Sequence, residues 1–461
     1  MFGRRSHFSM AFYGDDFTGS TDVMEALALD GVKSVLFLRP PTLEQLAGYP
    51  QARAFGIAGS SRAISPEEME RELPPAFEAL KASRAPLLHY KICSTFDSSP
   101  RIGSIGKAIE IGRRIFGDAP TPLVVGAPVL GRYVVFGNLF ARSGLDSEPA
   151  RLDRHSTMRR HPTTPMDESD LRIHLSRQTD LPIQLVDVLR LKAKPDDDGQ
   201  LSGLLQSPAS GHSPILLFDT LDESHLRAIG GIIEELARQR SPLFCVGSSG
   251  LEYALAAHHE NENDSRLPLM PARSPAAVVV AVSGSCSPVT ERQMQRAAGS
   301  GFHLVPLEPN LFLEEQPMSR SRVLDEAMAA VEEGRSVILH TSRGPNDPRI
   351  GVLTSALANR KPPANTAPII GTVLGQLLDG IIAKAPPCRL VVCGGDTSTH
   401  VARALGLEAL EYVAPMAPGS PVCQMHAPNR AAHGLQIVFK GGQVGRDDFF
   451  QDVLTGGPPD Y

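Results

Sequence analysis

Short apolar runs of strand length alternate with amphipathic helical segments along most of the chain. The run at 8–13 predicts a first strand, and the segment 21–30 after it predicts a helix. Residues 65–68 are Ser-Pro-Glu-Glu, an N-cap followed by proline and glutamates, and predict the start of a second helix. The alternation predicts an α/β fold with mostly parallel sheets and Rossmann-like layering of helices on both faces. Further strands are predicted near 32–38, 52–58, 87–92, 122–127, 183–188, 215–220 and 242–247.

A polar, proline-rich stretch divides this pattern into two series. We predict a linker at 261–275 between an N-terminal domain at 1–260 and a C-terminal domain at 276–461. Residues 129–180 break the rhythm, because they are rich in Arg, His, Ser and Pro. We expect them to form an insertion that reaches over an active site. Strands of the second series are predicted at 277–283, 303–307, 336–341, 389–393 and 435–440.

Charge and cysteine content narrow the classes of function. The 461 residues include 45 Lys and Arg and 51 Asp and Glu, and the net charge of −6 argues against nucleic acid as a partner. No apolar run approaches the length of a membrane span, and the N-terminus is too polar for a secretion signal. The six cysteines form no CxxC pair, so no zinc site is predicted and a reducing cytoplasm is the expected compartment.

Polar loops that follow strands are the candidate ligand sites, because doubly wound sheets bind ligands beyond the carboxyl ends of their strands. The first such loop holds Asp15 and Asp16. Two adjacent carboxylates cannot both face the crevice, so one would act as a general base on a substrate hydroxyl and the other would hold the loop. The alternative is an acidic turn that only caps the next helix.

Two further loops of the N-terminal series suit an acidic, hydroxylated ligand. Arg62 follows the third predicted strand and would bind a carboxylate through paired charged hydrogen bonds, unless it is a solvated surface arginine. The loop after the fourth strand would bind a polyhydroxylated acid, unless it is an ordinary Ser/Thr turn. Its candidate residues are Lys91, Ser94, Thr95 and Asp97.

Glycine- and serine-rich turns follow the strands of the second series. A Ser-Pro pair at 287–288 predicts a capped helix whose N-terminus suits phosphate, although capping alone also explains the pair. Paired glycines at 394–395 allow a ligand to approach the backbone closely, with a tight structural turn as the alternative. Neither a Walker A loop nor GxGxxG after a strand is present. The candidate nucleotide residues are Ser285, Ser287, Gly394, Gly395, Asp396, Thr397, Gly442 and Gly445.

At these loops the chain resembles the four-carbon acid sugar kinase family, a two-domain group that uses ATP. The resemblance implies a sugar-acid site in the N-terminal domain and an ATP site in the C-terminal domain. The matching stretches span nearly the whole chain, and together they are specific. They are GDDFTGSTD at 14–22, SSR at 60–62, KICSTFDSSP at 91–100, HPTTPM at 161–166, SGSCSPVT at 283–290, CGGDTS at 393–398, APGSPVC at 417–423 and KGGQVG at 440–445.

Within the family, the STFDS turn and the HPTTPM segment look most like the 3-oxo-tetronate kinase branch. The chain departs from the usual pattern at Tyr13-Gly14, at 441–445, where Ser-Gly-Asn-Phe-Gly is usual, and over 129–160. A branched acid such as 3-oxo-isoapionate, or threonate or erythronate, therefore stays open as the substrate. The competing class of function is a two-lobed sugar-acid binding protein without catalysis.

The resemblance leads to one mechanism, the transfer of a phosphoryl group from ATP to the terminal hydroxyl of the acid. We expect Asp16 to be the base, with Asp15 as its competitor, and Arg62 and Lys91 to bind the carboxylate and neighbouring oxygens. The hydroxyl residues of 94–97 would hold the substrate, and Mg²⁺ would accompany ATP through ligands that the sequence does not identify. The sequence leaves the oligomeric state open, with a homodimer as one alternative.

Overall fold

The computed structural model describes residues 7–142, 147–160, 164–191, 211–261, 273–313, 317–358, 366–384 and 388–457. The chain forms two compact units, Met1–Leu269 and Met270–Tyr461, and the boundary between them in the sequence falls within the range predicted as a linker. Residues 262–272 of that range, and 143–146 and 161–163 of the predicted insertion, lie outside the described part. The first three residues of the HPTTPM segment are among them.

The first unit contains a sheet of eight parallel strands, in the order β2-β3-β1-β4-β11-β5-β10-β9. Parallel strands covered on both faces are apolar throughout rather than alternating, and every residue of the first strand is buried. The strands are β1 (Met10–Gly14), β2 (Ser34–Phe37), β3 (Ala54–Ala58), β4 (Leu87–Lys91), β5 (Thr121–Val124), β9 (Ile183–Val186), β10 (Ile215–Phe218) and β11 (Leu243–Gly247).

Helices connect these strands. Ser65 caps the third helix in a reciprocal box with Glu68, as predicted. Among the described residues of the first unit the helices are α1 (Phe17–Leu29), α2 (Leu43–Ala47), α3 (Pro66–Ala82), α4 (Ile105–Phe116), α5 (Leu171–Ser176), α6 (Val188–Leu191), α7 (Glu223–Gln239) and α8 (Gly250–Asn261).

The chain reverses its winding direction between β1 and β4. From β1 it passes to one side of the sheet, through β2 and β3, and then returns to the other side of β1 with β4. A crevice opens at the carboxyl ends of the two strands at such a switch point. The loops at 15–16 and 92–98 border this crevice, and the backbone amide of Asp15 donates to the Lys91 carbonyl at 2.9 Å.

The insertion contains a small antiparallel sheet that the sequence did not predict. Its strands are β6 (Arg132–Val135), β7 (Asn138–Ala141) and β8 (Ala150–Arg151). The buried Asp219 fastens this sheet to the unit, because its carboxylate accepts from the amides of Phe136 and Gly137 at 2.7 and 2.8 Å.

The second unit contains a seven-stranded sheet in the order β13-β14-β12-β15-β18-β17-β16. The first five strands in this order are parallel, and the last two add an antiparallel hairpin that the sequence did not predict. The mostly parallel α/β fold is therefore confirmed. The strands are β12 (Val279–Ser283), β13 (His303–Pro306), β14 (Val337–His340), β15 (Arg389–Cys393), β16 (Ala409–Ala417), β17 (Ser420–His426) and β18 (Gln436–Lys440).

The second sheet also has a switch point, between β12 and β15. After β12 the chain winds to β13 and β14 on one side, and it returns on the other side of β12 with β15.

No helix among the described residues is long and apolar enough to cross a membrane. In the described part of the second unit the helices are α9 (Pro288–Gly299), α10 (Asn310–Leu313), α11 (Pro317–Glu332), α12 (Pro348–Ala358), α13 (Thr366–Ile382), α14 (Gly395–Ala404) and α15 (Phe449–Thr455).

Candidate functional site

Arg62 joins the two aspartates at the first switch point. Its Nη2 donates to Oδ1 of Asp15 at 2.6 Å and its Nε to Oδ2 at 3.1 Å. Its Nη1 and Nη2 donate to the two carboxylate oxygens of Asp16 at 2.9 and 3.0 Å. The backbone adds a third link, because the Arg62 amide donates to the Asp15 carbonyl at 3.0 Å. One guanidinium thus fixes both carboxylates beside the crevice.

Asp16 is the N-cap of α1. Its Oδ1 accepts from the Gly19 amide at 2.8 Å, and its Oδ2 accepts from the Thr18 hydroxyl at 2.9 Å. Its side chain is 23 % exposed, whereas that of Asp15 is 3 % exposed. The structure therefore turns Asp16 towards solvent and buries Asp15 behind it.

The two carboxylates differ in acidity. Burial raises the pKa of Asp15 and outweighs the attraction of Arg62. Burial also disfavours the charged form of Asp16, but Arg62, Lys91 and the bonds from Thr18 and Gly19 outweigh it and lower the pKa. Asp16 is therefore the carboxylate that is both accessible and ionised at neutral pH.

Lys91 ends β4 and brings a second cation to the crevice. Its Nζ lies 3.3 Å from Oδ2 of Asp22 and donates to the Ile92 carbonyl at 3.1 Å. Burial disfavours its charge, but Asp22, Asp15 and Asp16 outweigh that effect and raise the pKa of Lys91. The ammonium therefore stays charged inside the protein.

Gly19 lies at the centre of this arrangement. A Cβ built on Gly19 would lie 2.5 Å from Oδ1 of Asp16, 3.2 Å from Nζ of Lys91 and 3.7 Å from Nη2 of Arg62. Sequence reasoning missed both Gly19 and Asp22. Helical spacing could have identified Gly19, because it follows the N-cap residue Asp16 by three positions and therefore lies on the same face of α1 as Asp16.

The turn after β4 carries the predicted hydroxyl residues. The Thr95 hydroxyl donates to Oδ1 of Asp97 at 2.8 Å and contacts the Cys93 thiol at 2.9 Å. Ser94 is half-buried, and Phe96 is buried with a φ of 58°. Burial raises the pKa of Cys93 to about 11, so its thiol is neutral. The structure thus brings Thr95 and Asp97 into direct contact and places Ser94 on the same turn.

In the second unit, the two predicted glycine turns meet at the other switch point. A Cβ on Gly394, whose φ is 128°, would lie 2.7 Å from the Thr397 hydroxyl and 3.5 Å from the Ser285 amide nitrogen. A Cβ on Gly284 would lie 2.8 Å from Cγ2 of Thr397. The loops after β12 and β15 are therefore packed backbone to backbone. Gly395 is the first residue of α14 and Asp396 is the second. The side chain of Asp396 lies outside the described part.

Ser287 caps α9, as predicted, by accepting from the Val289 amide at 3.1 Å. Ser285 accepts from the Ser287 amide at 3.2 Å. A Cβ on Gly442 would lie 2.7 Å from the Ser285 hydroxyl oxygen, so the loop after β18 also reaches this point. Gly445, on the same loop, has a φ of 83°.

The loop after β14 joins these loops and was not predicted. The Ser342 hydroxyl donates to the Ser285 carbonyl at 3.2 Å, and the Thr341 amide donates to the Ser283 carbonyl at 3.0 Å. Four strand ends therefore supply backbone and hydroxyl groups at one edge of the sheet. Within the described ranges, no group of three or more His, Cys, Asp and Glu residues is arranged to hold a metal ion.

Comparison with known proteins assigns a class to each unit. Residues 10–255 match the model of a sugar-binding N-terminal domain, and residues 280–450 match that of a nucleotide-binding C-terminal domain. The 3-oxo-isoapionate kinase of Paraburkholderia graminis is 43% identical to this chain, over 97% of this chain and 94% of its own. The 3-oxo-tetronate kinase of Cupriavidus necator is 28% identical over 95% of each chain. The D-threonate kinase of Salmonella typhimurium is 28% identical, over 96% of this chain and 97% of its own.

Solved structures agree on the fold. A protein from Salmonella typhimurium LT2 superposes with a TM-score of 0.75 at 21% identity, over 96% of this chain and 98% of its own. A protein from Haemophilus influenzae superposes with a TM-score of 0.68 at 20% identity, over the same shares of the two chains. At these identities the likeness shows the architecture alone.

Proposed function

Because the chain belongs to the four-carbon acid sugar kinase family, we propose that it transfers the γ-phosphoryl group of ATP to the terminal hydroxyl of a short sugar acid. The hydroxyl oxygen forms a bond to γ-phosphorus, the bond from γ-phosphorus to the β,γ-bridging oxygen breaks, and ADP leaves. The hydroxyl proton passes to a base of the enzyme. The products are a phosphate monoester, ADP and a proton.

One observation supports this proposal most strongly. The first switch point holds two cations, Arg62 and Lys91, beside two carboxylates, Asp15 and Asp16, within the unit that matches a sugar-binding domain. Cations suit the acid group of the substrate, and a carboxylate suits the hydroxyl that must lose its proton. An acidic turn that only caps a helix does not need Arg62 and Lys91.

The substrate roles follow from accessibility. Asp16 is the base, because it is the more exposed carboxylate and is ionised at neutral pH. Arg62 makes four hydrogen bonds to Asp15 and Asp16, which leaves one of its five N–H groups for the acid. Lys91 adds positive charge, and the turn with Ser94, Thr95 and Asp97 binds hydroxyl groups.

The nucleotide roles fall to the second unit, which matches a nucleotide-binding domain. The loops with Gly394–Thr397 and Gly442–Gly445 face the phosphates, and Ser285 and Ser287 precede a helix N-terminus, where the dipole favours anions. Mg²⁺ bound with ATP would neutralise the charge of the transferred group, and phosphate oxygens and water would be its main ligands. The carboxylates of Asp15 and Asp16 are already engaged by Arg62, so we assign them no metal.

The identity of this chain to its relatives ranks the acids that are candidate substrates. The 3-oxo-isoapionate kinase is 43% identical to this chain and the 3-oxo-tetronate kinase of C. necator 28%, both over nearly the full length. We therefore put 3-oxo-isoapionate first, 3-oxo-tetronate second, and threonate and erythronate third. The STFDS turn favours the straight-chain acid as the substrate, whereas sequence identity favours the branched acid.

A panel assay tests this proposal. ADP release is measured with ATP, Mg²⁺ and each acid in turn, and kcat/KM is compared across the panel. The highest kcat/KM is expected for 3-oxo-isoapionate. Binding of an acid without ADP release from any member of the panel would favour the non-catalytic binding protein instead.

The proposal also covers the cellular compartment, which is the cytoplasm, and the assembly, which is a homodimer. All six cysteines are free thiols, which suits the reducing cytoplasm. We propose a homodimer as the assembly to test by light scattering, in which a monomer mass would exclude it.

A further inference from the structure

Lys440 is a buried cation without an acidic partner. It ends β18 with no exposed surface, and its Nζ donates to the Thr290 hydroxyl at 3.2 Å and to the Gly441 carbonyl at 3.0 Å. The ammonium lies 5.5 Å from the centre of the Phe449 ring. No carboxylate of the described residues forms an ion pair with it, although buried lysines are rarely left unpaired. The position therefore favours an anion supplied from outside the chain.

The glycine loop that follows Lys440 has its carbonyl groups tied inward. Gly441 accepts from Lys440, and Gly442 accepts from the Thr290 hydroxyl at 2.9 Å. The carbonyls of residues 444–446 all accept from Nε2 of Gln293, each at 2.9 Å. Thr290 and Gln293, both on α9, thus hold most carbonyl oxygens of the loop against the protein.

The amide groups of the loop are left for a ligand. The Val444 amide donates back to the Gly441 carbonyl at 3.2 Å, whereas those of Gly442, Gln443 and Gly445 have no acceptor among the described residues. Gly445 has a φ of 83°. The unpaired amides of Gly442 and Gln443 are consecutive, and consecutive amides in a turn form a concave anion site, known as a nest. Here the nest lies beside Ser285 and the N-terminus of α9, where the helix dipole adds to it.

We propose that Lys440 is the buried counter-charge for the terminal phosphates of the nucleotide, and that Thr290 and Gln293 are positioning residues that hold the loop at 441–445 in its phosphate-facing conformation. This inference rests on the proposed function, which places that loop at the phosphates, and adds the three residues that support it. Burial lowers the pKa of Lys440, as expected for a charge that is compensated only when phosphate binds. The neighbouring Cys393 thiol is itself neutral, because burial raises its pKa to about 11.

The test compares ATP, ADP and AMP by calorimetry on the full chain. Thr290→Val keeps the shape but removes the hydroxyl that joins Lys440 to Gly442, and it should weaken ATP and ADP about tenfold. Lys440→Met should weaken both by about a hundredfold, since it removes the charge. AMP, which lacks the terminal phosphates, should change less than about twofold. Lys440→Arg, which keeps the charge, should recover part of the ATP affinity.

A matched control shows whether the loss of affinity depends on the position of the threonine hydroxyl that is removed. Thr455 is exposed, and its hydroxyl donates to the Gln451 carbonyl at 2.9 Å. Thr455→Val should leave all three affinities unchanged. An unchanged ratio of ATP to AMP affinity in folded Thr290→Val overturns the inference, and this variant decides if Lys440→Met does not fold. A wild-type protein that binds no ATP overturns the proposed function as well, so the two failures are distinguishable.

Discussion

Arg62 binds the Asp15 carboxylate side-on, with Nη2 2.6 Å from Oδ1 and Nε 3.1 Å from Oδ2. The same guanidinium reaches Asp16, so the arginine that is expected to meet the substrate also orients the proposed base. Asp15 is 3 % exposed, and among the described residues Arg62 is the one side chain that donates hydrogen bonds to it, whereas Asp16 also caps α1. The two adjacent carboxylates therefore have different proposed roles: Asp15 holds Arg62, and Asp16 is the base.

Asparagine substitutions at the two positions test this division. Asp16→Asn keeps the shape and a good N-cap but removes the base, so kcat should fall about 10²–10⁴-fold with ATP affinity unchanged. Asp15→Asn should lower the melting temperature, because half-buried Arg62 loses the carboxylate that its Nη2 and Nε bind and keeps only Asp16. Both kcat and melting temperature are measured for both variants. Loss of turnover with a normal melt in Asp15→Asn, together with an active Asp16→Asn, would reverse the two roles.

Gly19→Ala tests whether the acid site depends on close packing around α1. The new Cβ would meet Oδ1 of Asp16 at 2.5 Å and Nζ of Lys91 at 3.2 Å. We expect kcat/KM for the acid to fall at least about tenfold with ATP affinity unchanged. Gly299→Ala, at the end of α9 with nothing within 4 Å of its Cβ, is the control and should leave kcat/KM unchanged. Full activity of Gly19→Ala would mean that Asp16 and Lys91 do not need their present positions.

Gly394→Ala tests the nucleotide turn against backbone strain alone. Gly394 and Gly301 both have a positive φ, 128° and 93°, but only a Cβ on Gly394 meets neighbours, the first at 2.7 Å. Gly394→Ala should weaken ATP binding about tenfold or more, while Gly301→Ala should cost stability only. Equal ATP affinity in the two folded variants would remove Gly394 from the nucleotide site.

His340 should make the second unit sensitive to acid. Burial and, secondarily, Arg349 lower the pKa of this histidine to about 4. Between about pH 6.5 and pH 4 the unfolded chain therefore binds a proton that the folded chain does not, so stability falls as the pH falls. By pH 4 the loss should reach about 3 kcal/mol. Urea unfolding of wild type and His340→Gln across this range measures it, and an identical pH slope in both proteins would contradict it.

The sequence predicts the parallel strands well, because each is a continuous apolar run that ends in a polar loop. It does not predict the hairpin of β16 and β17, since Pro415 and Pro421 lie inside those strands and proline argues against a strand. The strands of the insertion sheet have two to four residues, too few for an alternating pattern.

The site shows the same limit. Loop chemistry identifies Asp15, Asp16 and Arg62 as candidates, but their contact joins residues 46 and 47 positions apart, and only the order of strands in the sheet brings them together. The sequence left open an acidic turn that caps the next helix, and the turn does cap α1. In the structure Asp16 is the cap, and Thr18 donates to it at 2.9 Å.

The proposed transfer of the γ-phosphoryl group is followed directly by ³¹P NMR of ATP, Mg²⁺, 3-oxo-isoapionate and the enzyme. We expect a phosphate monoester signal to replace the γ-phosphate signal of ATP only when acid and enzyme are both present, and we expect Asp16→Asn to slow this conversion. Parallel tubes with 3-oxo-tetronate, threonate and erythronate extend the test to the whole substrate class. ATP left intact with every acid, or converted to ADP and inorganic phosphate without a monoester, would contradict the account.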